Sequence, residues 1–284
     1  MISIVHLLCW LVTIFIKEVC SSPVDYDERY LNCSVPFNCG RNSYIQYPFW
    51  GGSRAEYCGR AGYHLECLNN DTTVIEINSL EYKVLEVYQE TQTLRIARLD
   101  YMDTVCPSNY SDSILDLNLF DYTPDTLNLT IFYGCTSTRM QIVKTQFQFT
   151  CGGTNLNGCF DVSRNEAEEV PLPGPAKCRW RVVVPIPEVD AERLESGSST
   201  LSDVLRNGFE AKHHVNMSQC MECGKSGGSC GFDQLLQRPT CFCYDGPRRQ
   251  GHCPYRPPSG TYVPIYVPTY TFNIQFDSIR FDSC

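Results

Sequence analysis

Residues 74–87 read Val-Ile-Glu-Ile-Asn-Ser-Leu-Glu-Tyr-Lys-Val-Leu-Glu-Val, and this stretch decides the fold class. Residues 74–77 and 82–87 are rich in β-branched and apolar side chains, and Asn78-Ser79 between them is a turn signal. Residues 93–96 then alternate, with Leu94 and Ile96 on one side and polar residues on the other. The stretch therefore predicts three β-strands.

Alternating apolar and polar residues continue the β pattern towards the C-terminus. The apolar positions are Leu127, Leu129, Ile131 and Tyr133, then Phe147, Phe149 and Cys151, then Trp180, Val182, Val184 and Ile186. This pattern turns Asn128 outward. We expect a mainly β protein whose N-terminal β domain covers residues 23–187, with a cysteine-rich core at 33–106 and a β extension at 107–187.

The chain becomes polar and rich in Ser and Glu over residues 188–200, which predicts a linker. A short helix is expected next, capped by Thr200 or Ser202 and ended by Gly208, so that linker and helix together cover residues 188–205. Residues 206–253 form a small cysteine-rich module that must depend on its disulfides. A Pro- and Tyr-rich tail follows at 254–284.

The first residues predict secretion. Residues 4–16 are almost wholly apolar, too short a run to span a bilayer, and small residues follow near Cys20. This is typical of a signal peptide at 1–22. No later stretch is apolar for long enough to cross a membrane, so we expect an unanchored protein of the cell wall or apoplast. Five sequons predict N-glycans, at Asn32, Asn70, Asn109, Asn128 and Asn216.

Eighteen cysteines are present, and sixteen remain after removal of Cys9 and Cys20 with the signal peptide. Exported thiols at this density are expected to pair. The six cysteines of residues 220–253 suffice for three internal disulfides, although their spacing leaves 15 pairings open. The Cys220-x-x-Cys223 spacing could also hold zinc, but the oxidising compartment favours disulfides, so no metal or cofactor is expected.

Two regions resemble the ectodomain of plant wall-associated receptor kinases. Residues 33–106 are similar to its galacturonan-binding domain through Phe37-Asn38-Cys39-Gly40, Tyr47-Pro48-Phe49-Trp50, Tyr57-Cys58-Gly59, Tyr63-His64-Leu65-Glu66-Cys67 and Arg98-Leu99-Asp100. Residues 207–253 are similar to its C-terminal wall-associated domain through Cys220-x-x-Cys223, Ser226-Gly227-Gly228-x-Cys230-Gly231 and the EGF-like ending Cys241-Phe-Cys243-Tyr-Asp-Gly246.

The resemblance implies relatives among the leaf-rust-resistance-type receptor-like kinases, which are anchored in the plasma membrane. This sequence shows no kinase motif and no transmembrane segment. The resemblance also implies the disulfide set Cys33, Cys39, Cys58, Cys67, Cys106, Cys135, Cys151, Cys178, Cys220, Cys223, Cys230, Cys241, Cys243 and Cys253. Cys159 and Cys284 fall outside that set, and a disulfide between them is a hypothesis. Ala211 and His213 stand where the family usually has an apolar residue and a Trp.

Binding of a pectic polysaccharide is the function that the resemblance implies. Galacturonate needs cations and flat aromatic faces, and Arg holds a carboxylate with two hydrogen bonds. The candidate ligand-binding residues are Arg41, Tyr44, Tyr47, Trp50, Arg54, Tyr57 and Arg60. Residues 33–106 nevertheless carry six Lys/Arg against nine Asp/Glu. Either the cations cluster on one face, or calcium bridges carboxylates, or the ligand is less charged.

The alternative function is a protein-interaction module or a decoy that pairs with membrane-bound receptor-like kinases. An enzyme is not expected, because His213-His214 has no nucleophile beside it in the sequence and no catalytic residues can be named. The net charge of −9 excludes a typical nucleic-acid-binding protein, which carries a basic surface.

Overall fold

In the computed structural model, residues 74–87 lie in a β-hairpin, as the sequence predicts. Its strands, Thr72–Ile77 and Leu80–Tyr88, are antiparallel, with Val74 opposite Lys83. Asn78 and Ser79 form the two-residue turn, and both have positive φ angles, of 50° and 60°. Positive φ at both central positions is the geometry that matches the twist of a tight hairpin.

The structure describes residues 27–152, 156–163, 177–248 and 251–254. The predicted signal peptide at 1–22 lies outside these residues. So do Cys284 and all of the predicted tail after Pro254. Among the described residues, no helix is both long and apolar enough to cross a bilayer.

Strands dominate the described residues, which confirms the mainly β fold class. The strands are β1 (Phe37–Cys39), β2 (Asn42–Ile45), β3 (Leu65–Leu68), β4 (Thr72–Ile77), β5 (Leu80–Tyr88), β6 (Thr93–Arg98), β7 (Phe120–Tyr122), β8 (Thr126–Tyr133), β9 (Gln148–Cys151), β10 (Leu156–Ser163), β11 (Trp180–Pro187), β12 (Phe209–His213), β13 (Ser229–Asp233), β14 (Arg238–Cys243) and β15 (Gly246–Arg248). The α-helices are α1 (Glu28–Ser34), α2 (Ser137–Ile142), α3 (Glu188–Ser196), α4 (Leu201–Asn207) and α5 (Ser218–Lys225).

These strands form four antiparallel sheets. The largest has the order β3-β4-β5-β6-β12-β7, and a second has the order β11-β8-β10-β9. β1 and β2 pair with each other, and β13, β14 and β15 form a small sheet near the C-terminal end of the described residues. Asn128 on β8 is exposed, as its place in the alternating pattern predicts.

Each of the two larger sheets buries its own apolar face. The first core includes Phe37, Phe49, Tyr63, Leu65, Tyr82, Ile96, Phe120 and Phe209. The second core packs β8 and β11 against α3 and α4, and it includes Leu129, Ile131, Tyr133, Val182, Ile186, Leu194, Val204 and Leu205. The apolar residues that alternate along the sequence are therefore those that face the cores.

β12 joins the predicted C-terminal module to the N-terminal sheet. Phe209 pairs with Ile96 of β6, and Ala211 pairs with Leu94 on one side and Tyr122 of β7 on the other. Phe209 and Ala211 are almost fully buried. The described residues up to Cys253 form one compact unit. The region starting at residue 206 thus supplies an interior strand of the first sheet, between β6 and β7, which a separate module would not do.

The predicted linker at residues 188–200 is wrong for most of its length, because α3 occupies Glu188–Ser196. Ala191 and Leu194 on this helix are buried in the second core, and the buried Asp190 accepts a hydrogen bond from Arg193. The predicted helix after it is confirmed. Thr200 caps α4 in a capping box with Asp203.

Seven disulfides use the fourteen cysteines that the resemblance implied. The pairs are Cys33–Cys58, Cys39–Cys67, Cys106–Cys151, Cys135–Cys178, Cys220–Cys230, Cys223–Cys241 and Cys243–Cys253. The last three are the internal set expected within residues 220–253. Cys159 is a buried free thiol. Its hypothesised partner, Cys284, lies outside the described residues.

Candidate binding surface

Two of the seven candidate ligand-binding residues, Tyr47 and Arg54, are buried and cannot contact a ligand at the surface. Tyr47 is 3% exposed and belongs to the first core, where burial raises its pKa to about 12. Arg54 is 2% exposed. Its guanidinium group donates hydrogen bonds of 2.6 to 3.4 Å to the backbone carbonyls of Cys33, Val35, Phe49, Cys58 and Cys230.

Arg54 therefore holds the backbone together instead of binding a carboxylate. Its partners come from three distant parts of the chain, and Cys230 lies 176 residues away. Burial lowers the pKa of Arg54 to about 10. The planar group with its five N–H donors can satisfy several carbonyls at once, which no other side chain can do.

Tyr57 is half-buried in a contact between α1 and the small C-terminal sheet. Its hydroxyl accepts a hydrogen bond of 2.7 Å from Nδ2 of Asn32, and its ring meets the edge of Phe242 at 5.9 Å. The Asn32 amide nitrogen, which would carry a glycan, is thus used in a packing contact. Asn70, Asn109 and Asn216 are exposed, as is Asn128, and glycosylation stays a prediction for all five sequons.

Trp50 and Arg60 form a partly exposed cluster with His64. The Trp50 indole donates through Nε1 to the carbonyl of Arg60 at 3.1 Å, and the His64 ring lies 4.3 Å from the indole. The Arg60 guanidinium lies over the Phe232 ring at 5.7 Å. One face of Trp50 is therefore already covered by a side chain of the same protein.

Arg41 and Tyr44 are the most exposed of the candidate residues, and both lie on the β1–β2 hairpin. Tyr44 is 75% exposed and has a φ of 58°, in the left-handed region that bulky residues rarely adopt. Its backbone is fixed by two hydrogen bonds. The Tyr44 N–H donates to Oδ1 of Asn38 at 2.9 Å, and its carbonyl accepts from Nε2 of Gln89 at 2.8 Å.

We name Arg41, Tyr44, Tyr88 and Gln89 the hairpin surface. Arg41 follows Gly40, whose α-carbon approaches the backbone of Asp71 so closely that a Cβ would lie 1.9 Å from the Asp71 carbonyl oxygen. Tyr88 precedes Gln89 and is 38% exposed. A strained residue that its surroundings hold in place, as Tyr44 is, is a recognised mark of a functional site.

The hairpin surface and the Trp50 cluster lie at opposite ends of β3. His64 precedes the strand and Asp71 follows it. Four residue steps from His64 to Leu68 span about 13 Å at the usual rise of a strand. The structure therefore does not bring the seven candidate residues into one site. It divides them into the hairpin pair, the Trp50 cluster, Tyr57 and the two buried residues.

Burial also changes the charge that residues 33–106 present. Of the six cations, Arg54 and Arg98 are both 2% exposed, and Arg98 pairs with Asp100 at 2.7 Å. Arg95 lies 4.0 Å from Glu210. The other three cations, Arg41, Arg60 and Lys83, all have exposed area. Arg41 and Arg60 lie at opposite ends of β3, which leaves the hairpin surface with a single guanidinium group, that of Arg41.

The sequence did not predict a groove of about 420 Å³ beside β12. Its lining includes Asp121, His213, His214 and Met217. His213 is 4% exposed, and its ring meets Phe49 and Tyr63 edge-on at 5.9 Å. Burial, together with the nearby charges of His214 and Lys212, lowers the pKa of His213 to about 4. Nε2 of His214 lies 2.7 Å from Oδ2 of Asp121.

Within the described parts of the chain, the side-chain clusters with metal-site geometry consist of cysteines. They are Cys135, Cys159 and Cys178, and Cys241, Cys243 and Cys253. Five of these six sulfurs are in disulfides. Disulfide sulfurs are not thiolates, so neither cluster offers the three or four thiolate ligands of a structural zinc site.

Two family models match the chain. Residues 33–98 match the wall-associated receptor kinase galacturonan-binding family, and residues 150–246 match the wall-associated receptor kinase C-terminal family. The first match contains β1 to β6, including the hairpin surface and the Trp50 cluster. The second begins within β9, well ahead of residue 206, the start that the sequence pattern predicts for the C-terminal region.

The chain is also similar to receptor-like kinases of Arabidopsis thaliana. It is 32% identical over 212 residues to leaf rust 10 disease-resistance locus receptor-like protein kinase-like 2.4, an alignment that covers 73% of this chain and 32% of the relative. It is 27% identical to the kinase-like 2.1 protein (86% of this chain, 38% of the relative) and 30% identical to the kinase-like 1.3 protein (81% and 31%).

The chain thus spans about a third of the length of these relatives. No solved structure matches it. The two family matches and these relatives agree with the resemblance that the cysteine and aromatic motifs indicate. The chain therefore carries the galacturonan-binding and C-terminal domains of the wall-associated receptor kinase family.

Proposed function

We propose that this chain is an extracellular receptor-kinase-type ectodomain that binds pectic polysaccharide through the hairpin surface. The match of residues 33–98 to the galacturonan-binding family supports the ligand class. The disulfides and the wall-associated families support a place in the cell wall or apoplast, outside the reducing cytosol.

The observation that carries the proposal is the exposed, fixed Tyr44 on the same short hairpin as the exposed Arg41. A galacturonate residue has an apolar C–H face and one carboxylate. The Tyr44 ring can pack on the first, and the Arg41 guanidinium can hold the second with two charge-assisted hydrogen bonds. The positive φ of Tyr44 is maintained by Asn38 and Gln89, so the ring is presented without any rearrangement of the backbone.

The acidic balance of residues 33–106 shapes the expected binding mode. Glu86 and Glu90 lie on either side of Tyr88 and Gln89, and both are exposed. The carboxylates of a long polygalacturonate chain would be repelled by the carboxylates of these two residues. We therefore expect a short contact of a few sugar units, in which Arg41 supplies the one strong ionic interaction.

Calorimetric titration with a defined oligogalacturonide tests the proposal. Arg41→Gln should weaken binding about tenfold, because a hydrogen bond to a charged group contributes roughly 1.5–3 kcal/mol. Tyr44→Ala should weaken binding by a similar factor, because it removes the ring that packs on the sugar. Arg60→Gln is the matched control and should leave the affinity within about twofold. Raising the salt concentration to about 1 M should weaken the wild type more than Arg41→Gln, since screening acts on exposed charges.

Two results would contradict this assignment. One is that the wild-type chain binds no oligogalacturonide, in which case pectin binding fails altogether. The other is that Arg60→Gln abolishes binding while Arg41→Gln and Tyr44→Ala do not. The ligand class would then stand, but the site would be the Trp50 cluster at the other end of β3.

A second candidate function is a protein-interaction module that pairs with membrane-bound receptor-like kinases. The turn between β13 and β14 exposes Leu235 by 94% and Leu236 by 50%. Oδ1 of Asp233 accepts hydrogen bonds from both of their backbone N–H groups, at 3.0 and 3.1 Å. If this turn is the interface, the double variant Leu235→Ser, Leu236→Ser should lose binding to a receptor-like kinase ectodomain but keep its oligogalacturonide affinity.

Catalysis is not part of the proposal. The only paired histidines are His213 and His214. His213 is buried with a pKa near 4, and His214 is paired with Asp121. We expect purified protein to leave oligogalacturonide chain length unchanged, which chromatography of the sugar after long incubation would check.

A further inference from the structure

Three cysteine sulfurs meet at one end of the second sheet. Cys135 lies just after β8, separated from it by Gly134. Cys159 lies on β10, and Cys178 lies just before β11. The three Sγ atoms are within 4.8 Å of one another, and those of Cys135 and Cys159 are 3.9 Å apart. Cys135 and Cys178 are joined, and Cys159 is free.

The backbone holds Cys135 between its two possible partners. Its N–H donates to the carbonyl of Asn157 on β10 at 3.0 Å, and the N–H of Thr136 donates to the carbonyl of Lys177 at 2.9 Å. β8 pairs with β10 on one side and with β11 on the other. Either disulfide would therefore tie β8 to a neighbouring strand that is already hydrogen-bonded to it.

We propose that Cys159 is the attacking thiol of an internal thiol–disulfide exchange that produces a reactive thiol at Cys178. The Cys159 thiolate attacks Sγ of Cys135, a Cys135–Cys159 disulfide forms, and the Cys135–Cys178 bond breaks. Cys178 leaves as a thiolate and takes up the proton that Cys159 lost. The step is an isomerisation, so it consumes no oxidant and no reductant.

The two disulfide isomers are closely matched in chain entropy. The Cys135–Cys178 bond closes a separation of 43 residues, and a Cys135–Cys159 bond would close one of 24. The entropy of loop closure depends only on the logarithm of this length, so the difference between the isomers is small. Neither pairing is strongly preferred on this ground.

The environment of Cys159 controls how fast the exchange runs. Burial raises the pKa of its thiol, and Asp161 on the same strand acts in the same direction. Arg139 on α2 opposes them through its charge and a hydrogen bond to the thiol. Only a small thiolate fraction is present near neutral pH, so the exchange should accelerate as the pH rises.

The product differs from the starting state in the exposure of its free thiol. Cys159 is 1% exposed, whereas Cys178 is half-buried. After exchange, the Cys178 thiolate can attack a low-molecular-weight disulfide, giving a mixed disulfide on Cys178 and releasing one small thiolate. Cys178 is thus the modification site, and the reagent class is a small disulfide or another thiol-reactive molecule.

Peptide mapping of the oxidised full chain tests the proposal. The protein is held with N-ethylmaleimide at about pH 7 and about pH 9, then acid-quenched and cut with pepsin so that no further exchange occurs. We expect the label on Cys178, together with a Cys135–Cys159 linked peptide, and faster labelling at the higher pH. Cys159→Ser should abolish the label on Cys178.

A second variant keeps the test decisive. Cys178→Ser should yield folded protein with a Cys135–Cys159 disulfide and no thiol at either position after denaturation. The proposal is overturned if that variant has free thiols at both Cys135 and Cys159. It is also overturned if the wild type is labelled only at Cys159, or if no label enters during long incubation at about pH 9.

Discussion

Arg41 and Arg54 are alike in the sequence and opposite in the structure. Each follows a small residue, Gly40 or Ser53, in a stretch rich in turn residues. Arg41 is exposed, while Arg54 is buried among five backbone carbonyls. Both were candidates for binding a carboxylate because both are arginines. Burial decides between them, and it depends on distant segments such as Cys230 that no local pattern reveals.

Arg54→Met should destabilise the protein severely. The substitution leaves five carbonyls without their donor, and buried unsatisfied groups cost roughly 1–3 kcal/mol each before the structure relaxes. We expect a loss of at least about 3 kcal/mol in the free energy of unfolding, measured in urea with the disulfides intact. Arg41→Met is the matched control and should cost less than about 0.5 kcal/mol. Equal effects from the two substitutions would contradict the role given to Arg54.

His213 should make stability depend on pH. Its folded pKa of about 4 lies below its ordinary value of 6.5, so the unfolded chain binds more protons between these values. The free energy of unfolding is therefore full above about pH 6.5 and falls by about 3 kcal/mol as the pH drops to about 4.

A variant can isolate this contribution. His213→Phe keeps an aromatic ring against Phe49 and Tyr63 but removes the titrating group. The pH dependence between about 4 and 6.5 should flatten in this variant and persist in His214→Gln, whose side chain is more exposed. Identical pH profiles for wild type and His213→Phe would show that another group is responsible.

At the scale of elements, the alternating patterns predicted where the strands are, but they did not predict which strands pair with each other. β4, β5 and β6 follow from residues 74–96 because each apolar side chain faces a core. The pairing of β12 with β6 joins residues more than a hundred positions apart, such as Phe209 and Ile96, which periodicity cannot show. α3 was missed because only Ala191 and Leu194 are buried apolar residues on it, too few to stand out in a polar stretch.

Gly208 is required where α4 ends and β12 begins. Its φ is 65°, and a Cβ there would lie 2.0 Å from the carbonyl oxygen of Ile96 on β6. Gly197 ends α3 with a φ of 72° and has nothing within 4 Å of a Cβ. Gly197→Ala should cost about 1–2 kcal/mol from the backbone angle alone.

Gly208→Ala should cost at least about 2 kcal/mol more than Gly197→Ala, since β12 must move away from β6 to make room. Urea unfolding of the two variants measures the difference. If both variants lose the same free energy, the close contact between Gly208 and Ile96 does not matter to stability, and the fit of β12 in the first sheet is looser than described.

At the scale of the whole molecule, strand pairing and a buried arginine connect the two family regions, and disulfides do not. Seven disulfides lie in the described residues, and none joins the first match to the second. β12 and the Arg54–Cys230 hydrogen bond make that connection instead. The cysteine content predicted a stapled β protein correctly. The cysteine content could not predict how the chain divides into domains, because that division depends on which strands pair with each other.

The candidate site shows the same limit at this scale. The resemblance gave the ligand class, and residue chemistry gave seven candidate residues. The structure places them at the two ends of β3, in the packing of Tyr57 against Phe242, and in the interior. Tyr44 and Arg41 stay candidates for ligand binding because both are exposed on one hairpin. Tyr47 and Arg54 do not, because both are buried. Only a fold can show which members of such a set reach one ligand.

Hydrogen–deuterium exchange of the full chain with and without oligogalacturonide tests the proposed binding surface most directly. We expect slower exchange in residues 38–45 and 88–90, with no change in residues 60–64 or 233–238. Protection confined to residues 60–64 would move the site to the Trp50 cluster. No protection anywhere at a saturating sugar concentration would contradict pectin binding by this chain.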